Sequence, residues 1–129
     1  PGGMVEEIDD SLIHTALREA NEEIGIIPES VKIIGLLTKL YIPPSNFDVY
    51  PIVSYTDSTP IFKSNYEVQE VLEIDLETLL NPQTLTFKNI LHRTGEEFNV
   101  PCYYIQGEVI WGASAMIMAE LLEIMKNEK

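Results

Sequence analysis

A chain of 129 residues, 45% of them hydrophobic, has the size and apolar fraction of one globular domain. Eight lysines and arginines stand against 21 aspartates and glutamates, a formal charge of −13. That balance excludes a surface that coats DNA or RNA, or holds an anionic membrane, through clustered cations. An acidic chain can still act on an anionic substrate when metal cations lie between the two.

No apolar run nears the ~20 residues that span a bilayer. The single cysteine, Cys102, can form no internal disulfide and suits a reducing cytoplasm. The sequence opens Pro1-Gly2-Gly3 with its first methionine at Met4, so further residues are expected upstream.

Residues 10–24 are predicted to form an amphipathic helix, because Leu12, Ile13, Ala16, Leu17, Ala20 and Ile24 recur at three- and four-residue spacing. Asp9, Asp10 or Ser11 can cap its start, Gly25 can close it in a left-handed conformation, and Pro28 forbids its continuation. Two β-rich runs follow, Val31 to Ile42 and Phe47 to Thr56, joined by the stiff Pro43-Pro44-Ser45-Asn46 connection. The alternation from Val68 to Asp75 fits another strand, and Leu76 to Leu80 one or two helical turns stopped by Asn81-Pro82. Short strands are expected over Leu85 to Leu91 and Phe98 to Ile110, with turns at Thr94-Gly95 and Gln106-Gly107. An apolar helix from Ala113 to Met125 completes the chain. The sum is an α/β single domain over residues 1–129, with a mixed central sheet flanked by helices from both ends.

Chemistry concentrates in Arg18-Glu19-Ala20-Asn21-Glu22-Glu23-Ile24-Gly25-Ile26. At 100° per residue, Glu19, Glu22 and Glu23 share roughly a 100° arc beside the apolar stripe. Like charges this close repel, unless a divalent cation such as Mg²⁺ or Mn²⁺, which prefers carboxylate oxygen, lies among them. Arg18, the first arginine of the chain, can pair with one carboxylate and fix its rotamer. The plainer alternative is a solvated acidic helix face.

Pro1-Gly2-Gly3 followed by Arg18-Glu19-x-x-Glu22-Glu23-x-Gly25-Ile26 resembles the signature of the Nudix hydrolases. Two positions depart from it: the acidic residue after Gly3 is Asp9 rather than glutamate, and eight residues rather than seven separate it from Arg18. That altered loop is similar to the branch related to coenzyme A diphosphatases. The Val109-Ile110-Trp111-Gly112-Ala113-Ser114-Ala115 junction into the last helix is similar to the C-terminal segment of that branch.

The resemblance implies a Nudix-type α/β/α sandwich in which the box helix and the C-terminal helix flank the sheet. It implies Mg²⁺- or Mn²⁺-dependent hydrolysis of a nucleoside diphosphate derivative, with coenzyme A the first expectation (giving 3′,5′-ADP and 4′-phosphopantetheine). ADP-ribose or a dinucleotide is the second. A Nudix-fold binding domain without catalysis is a third, against which the intact Glu19, Glu22 and Glu23 set argues.

Under this resemblance Glu19 and Glu23 are the first-choice metal ligands, Glu22 the third, and the Gly2 carbonyl a further oxygen. Gly3 would let the backbone approach the diphosphate closely. The general base would be Glu19 or, from outside the box, Glu67. Tyr41, Pro44 and Phe47 could wall an adenine or pantetheine group, and Lys39, Lys63 or Arg93 could meet a 3′-phosphate. His14 reads as a surface or packing residue, His92 with Arg93 as a turn pair, Cys102 as core and Trp111 as an anchor for the terminal helix. The partner expected is a small nucleotide rather than a nucleic acid or a membrane, and a homodimer stays open.

Overall fold

The computed structural model describes residues 1–43, 45–68, 70–91 and 93–127, so the readings of Pro44 and His92 lie outside the described residues. The chain divides into two compact units, Pro1–Tyr41 with Asp48–Leu72 and Ile42–Phe47 with Glu73–Lys129.

In the first unit, helix α1 spans Leu12–Ile24. Its start falls at Ser11, whose Oγ accepts from the His14 N–H at 3.1 Å, because Asp9 is committed elsewhere. Gly25 closes it at φ +76°, its N–H donating to the Asn21 carbonyl at 2.9 Å. That left-handed conformation costs a residue with a Cβ roughly 1–2 kcal/mol. A single 3₁₀ turn at Pro28–Ser30 leads into β1 (Val31–Leu36).

Each of the two expected β-rich runs is broken in two. Strand β1 pairs antiparallel with β4 (Ile52–Thr56), from Val31 opposite Thr56 to Leu36 opposite Ile52, with an irregularity between Ile33 and Gly35. Strands β2 (Leu40–Ile42) and β3 (Phe47–Val49) form a separate two-stranded sheet. Pro51 lies in the gap between β3 and β4, where its missing N–H cannot serve a ladder, and its carbonyl accepts from Leu37 N–H at 3.0 Å.

The strand expected from Val68 to Asp75 does not form: among the described residues this segment carries no ladder. Val68, Glu70, Val71 and Leu72 line a cleft instead of pairing. Apolar residues in an extended segment do not by themselves name a ladder partner for it.

In the second unit, α2 (Leu76–Leu80) stops where Asn81 turns its side chain to accept from Gln83 N–H at 3.0 Å. Strands β5 (Leu85–Leu91), β6 (Glu97–Ile105) and β7 (Glu108–Ile110) form an antiparallel meander. The register runs from Leu85 opposite Tyr103 to Leu91 opposite Glu97, and then Tyr103 opposite Ile110. Gln106 and Gly107, both at positive φ (54° and 79°), close the second hairpin with the twist that two-residue turns require.

Helix α3 (Gly112–Asn127) brings Ala115 and Leu122 onto Tyr103 and Ile105 of β6, with Leu79, Leu80 and Met118 packed around them. Cys102 and Tyr103 point to opposite faces of β6 and both are buried, so this strand is covered on both sides there. Trp111, in contrast to its expected anchoring role, is 56% exposed.

The fold class is therefore α/β, with the strands of the described residues gathered in three sheets where the sequence pattern suggests one central sheet. Among the described residues no helix is long and apolar enough to cross a membrane.

Candidate active site

Arg18 organises the acidic surface of α1. Its Nε lies 2.9 Å from Asp9 Oδ1 and its Nη2 3.0 Å from Asp9 Oδ2. Nη1 reaches Glu19 Oε1 at 3.0 Å and Glu22 Oε2 at 3.2 Å, and Nη2 also donates to the Met4 carbonyl at 2.9 Å. The Asp9 side chain is fully enclosed and that of Arg18 is 9% exposed. The guanidinium first, then the Glu6 N–H and the Thr15 hydroxyl, holds the Asp9 carboxyl well below the usual carboxylate range, against the opposing effect of burial. Asp9 in return holds the guanidinium above its ordinary value. A turn in which Glu6 N–H donates to Asp9 Oδ2 at 2.9 Å completes the anchorage, so the loop before α1 is fastened to the helix.

That fastening brings Gly2 and Gly3 over Glu19 and Glu23. A Cβ placed on Gly3 would collide with the Glu19 carboxyl group, lying 2.8 Å from Oε2. The Gly2 N–H donates to Glu23 Oε1 at 3.4 Å. Burial pushes the Glu23 carboxyl up, and the neighbouring Glu19 carboxylate adds to the rise, against the Gly2 N–H. Two carboxylates one helical turn apart, one touching the Gly3 position and the other the Gly2 N–H, form a donor set that suits a hard divalent cation. Mg²⁺ typically takes one or two carboxylates and completes its shell with water and phosphate oxygens.

The expected triad of glutamates does not converge. Glu22 turns to Arg18 with its side chain 53% exposed, because the guanidinium offers a charge-assisted partner on that side of the helix. Among the described residues no group of three His, Cys, Asp or Glu side chains is placed to hold a metal.

Beside Glu23 the first unit carries a cleft of about 430 Å³, walled by Ile24, Phe62, Val68 and Leu72, with Glu23 and Glu70 as its carboxylates. The segment forming its far wall is hydrogen-bonded to the end of α1. Lys63 N–H donates to the Ile24 carbonyl at 2.9 Å and Asn65 N–H to the Glu23 carbonyl at 3.0 Å. Gly25 permits this approach, since a Cβ there would stand 3.0 Å from Lys63 Cβ.

Other expected positions fall outside this cluster. Glu67 is exposed, with its N–H on Asn65 Oδ1 at 2.9 Å, and it does not line the cleft. Lys39 is exposed beside β2. Tyr41 on β2 and Phe47 on β3 are 52% and 44% exposed. His14 accepts from the Asp10 N–H at 3.1 Å, a local helix-start contact. The sequence reading overlooked Asp9 as the partner of Arg18, and Phe62 and Glu70 as cleft residues. Only Asp9 had a signal, as an acidic residue in the loop leading to an arginine.

The NUDIX domain model matches residues 1–94. The chain belongs to the Nudix family. The match covers the whole Gly2-to-Gly25 region and runs past Leu72 into the second unit.

Curated relatives agree, each named an uncharacterized Nudix hydrolase, NudL. The chain is 38% identical over 126 residues to that of Cronobacter sakazakii, covering 94% of this chain and 62% of the relative. For Yersinia enterocolitica the identity is 36% over 124 residues, covering 95% and 63%. For Pectobacterium atrosepticum it is 34% over 122 residues, covering 94% and 62%. This Nudix chain thus spans a little under two thirds of the length of these relatives.

Proposed function

We propose that this Nudix domain, taken as a single unit over residues 1–129, hydrolyses the phosphoanhydride of a nucleoside diphosphate derivative with a divalent cation, Mg²⁺ or Mn²⁺. The observation that carries the reading is the Glu19–Glu23 pair beneath Gly2 and Gly3: two carboxylates one helical turn apart, with backbone rather than side chains above them. When bound, the cation would neutralise the diphosphate and lower the pKa of an attacking water.

The chain's own residues do the rest. Arg18 fixes Glu19 through Oε1, which leaves Oε2 for the cation. Glu23 is its second carboxylate, with the Gly2 carbonyl as a further oxygen. Gly3 lets the Glu19 carboxyl group lie directly against the loop. Asp9 keeps Arg18 and the loop in place.

Within this class we propose coenzyme A or a derivative as substrate. Support comes from the Pro1-Gly2-Gly3…Asp9…Arg18-Glu19 spacing and from the Val109-to-Ala115 junction, both similar to the coenzyme A diphosphatase branch. The test is incubation with Mg²⁺ or Mn²⁺ and, in parallel, coenzyme A, ADP-ribose and a dinucleoside polyphosphate, with products resolved by chromatography. Release of 3′,5′-ADP from coenzyme A at the highest kcat/KM is the expected result. Preference for another compound overturns the coenzyme A assignment, hydrolysis of none overturns the hydrolase reading, and wild-type rates in Glu19→Gln and Glu23→Gln overturn the metal-site assignment.

A further inference from the structure

We infer that the cleft between the end of α1 and the described residues of 62–68 and 70–72 is a specificity site. It holds the uncharged end-group of the substrate next to the diphosphate, with the Glu70 carboxylate accepting an N–H from that group. The inference rests on the diphosphatase reading for its placement, because Glu23 belongs both to the proposed cation site and to the wall of the cleft.

Volume is the first argument. About 430 Å³ lies within the range of about 300–1,000 Å³ typical of small-molecule pockets, and is ample for a nucleobase or a short amide chain. The lining is the second. Ile24, Phe62, Val68 and Leu72 present aliphatic and aromatic surface, and among the described residues no lysine or arginine lines the cleft. A phosphate would face two carboxylates there without a cationic side chain, so the cleft selects a neutral group and leaves the anionic part to the Glu19–Glu23 side.

The polar group is the third argument. Glu70, exposed at the cleft, puts a carboxylate acceptor in the lining, and an acceptor beside apolar walls favours a ligand that brings a donor. Phe62 offers a ring face for stacking against a planar group. The chemistry selected is therefore a neutral, largely apolar group with an N–H donor. An exocyclic amine on a purine and a secondary amide of a pantetheine-like chain both meet that description.

Rigidity is the fourth. The wall carrying Phe62 is fastened to the α1 terminus by the Lys63 and Asn65 N–H bonds, so the cleft stands ready beside Glu23 without a substrate.

The experiment uses phosphate-free fragments, which bind without the cation site. Adenosine and pantetheine are titrated separately into the ¹⁵N-labelled chain, wild type and Glu70→Ala, with inosine (lacking the exocyclic amine) as a third ligand. The expected result is saturable shifts of the Ile24, Val68 and Leu72 amides with adenosine or with pantetheine, weakened at least fivefold in Glu70→Ala. Adenosine binding that fails with inosine assigns the cleft to the base, and pantetheine binding assigns it to the amide chain. Fragment shifts elsewhere, none at all, or equal affinity in Glu70→Ala overturn the inference. Hydrolysis is assayed on the same samples. Turnover without fragment binding removes the cleft alone, whereas fragment binding without turnover removes the hydrolase reading and leaves the cleft.

Discussion

Arg18 meets Asp9 through two parallel contacts, Nε to Oδ1 at 2.9 Å and Nη2 to Oδ2 at 3.0 Å, a fork-on-fork pairing within an enclosed pocket. The same guanidinium holds Glu19 at 3.0 Å, so a change at Asp9 is felt at a carboxylate that Asp9 never touches. Asp9→Asn keeps the shape but loses the charge and one acceptor. It should lower kcat/KM by about 10–100-fold, the usual effect of disturbing the groups that orient a ligand. Arg18→Lys should act alike, because an ammonium cannot bridge Asp9 in two places while reaching Glu19. Steady-state kinetics with a matched thermal melt checks both.

The pH dependence of stability follows from the same pair. Asp9 has its carboxyl pKa depressed on folding, so its contribution is fully present above its ordinary value of 3.8 and is lost as pH falls from there toward the folded value. Arg18 is raised above its ordinary, strongly alkaline value, so its share is complete throughout the range in which proteins are handled and fades only beyond it. The pair thus works unchanged from mildly acidic to mildly alkaline solution. In melts recorded from pH 7 down to pH 2.5, wild type should lose stability more steeply below pH 4 than Asp9→Asn. Parallel curves would refute the pairing as a stabilising element.

Gly3→Ala puts a methyl group into the volume of the Glu19 carboxyl group. The obstacle is the far end of a flexible side chain, so the fold should survive with Tm nearly unchanged while Glu19 is displaced. Activity at saturating Mg²⁺ should fall by at least tenfold. A fully active variant would show that Glu19 need not occupy that position.

Gly25→Ala combines a φ of +76° with a Cβ only 3.0 Å from Lys63 Cβ. The backbone strain alone is about 1–2 kcal/mol, and denaturant unfolding should show at least that loss. Gly25→Asn, which tolerates the left-handed region better, should recover part of it.

Cation binding should also be visible as stability. A ligand that binds only the folded chain contributes about 2.7 kcal/mol at one hundred times its Kd. Mg²⁺ or Mn²⁺ should therefore raise the Tm of wild type. The rise should vanish in Glu19→Gln/Glu23→Gln and return to baseline on chelation with EDTA.

The helical half of the site could be read directly from the sequence. The three- and four-residue spacing from Leu12 to Ile24, with Ser11 before it and Gly25 after it, locates α1, because helix boundaries are set by nearby residues. The fate of Val68 to Leu72 could not be read, since strand pairing depends on what lies across the ladder. Glu70 gives no sign in the sequence of lining the cleft, for the same reason. The Asn65 turn, which directs Glu67 N–H to its own loop, is a matter of three-dimensional path rather than spacing. The contact of Glu22 with Arg18 at 3.2 Å could not be read either, since helical angle alone treats Glu22 like Glu19 and Glu23.

Glu23 has two attachments that are easily considered apart: its carboxylate receives the Gly2 N–H, and its carbonyl receives the Asn65 N–H from the wall of the cleft. On the proposed reading one residue thus serves two binding events. Thermodynamic reciprocity then sets a strict rule, that whatever factor a bound cation adds to the affinity for the end-group, the end-group adds to the affinity for the cation. A substrate with the wrong end-group would therefore be disadvantaged twice, once in its own contacts and once in how firmly it retains its metal.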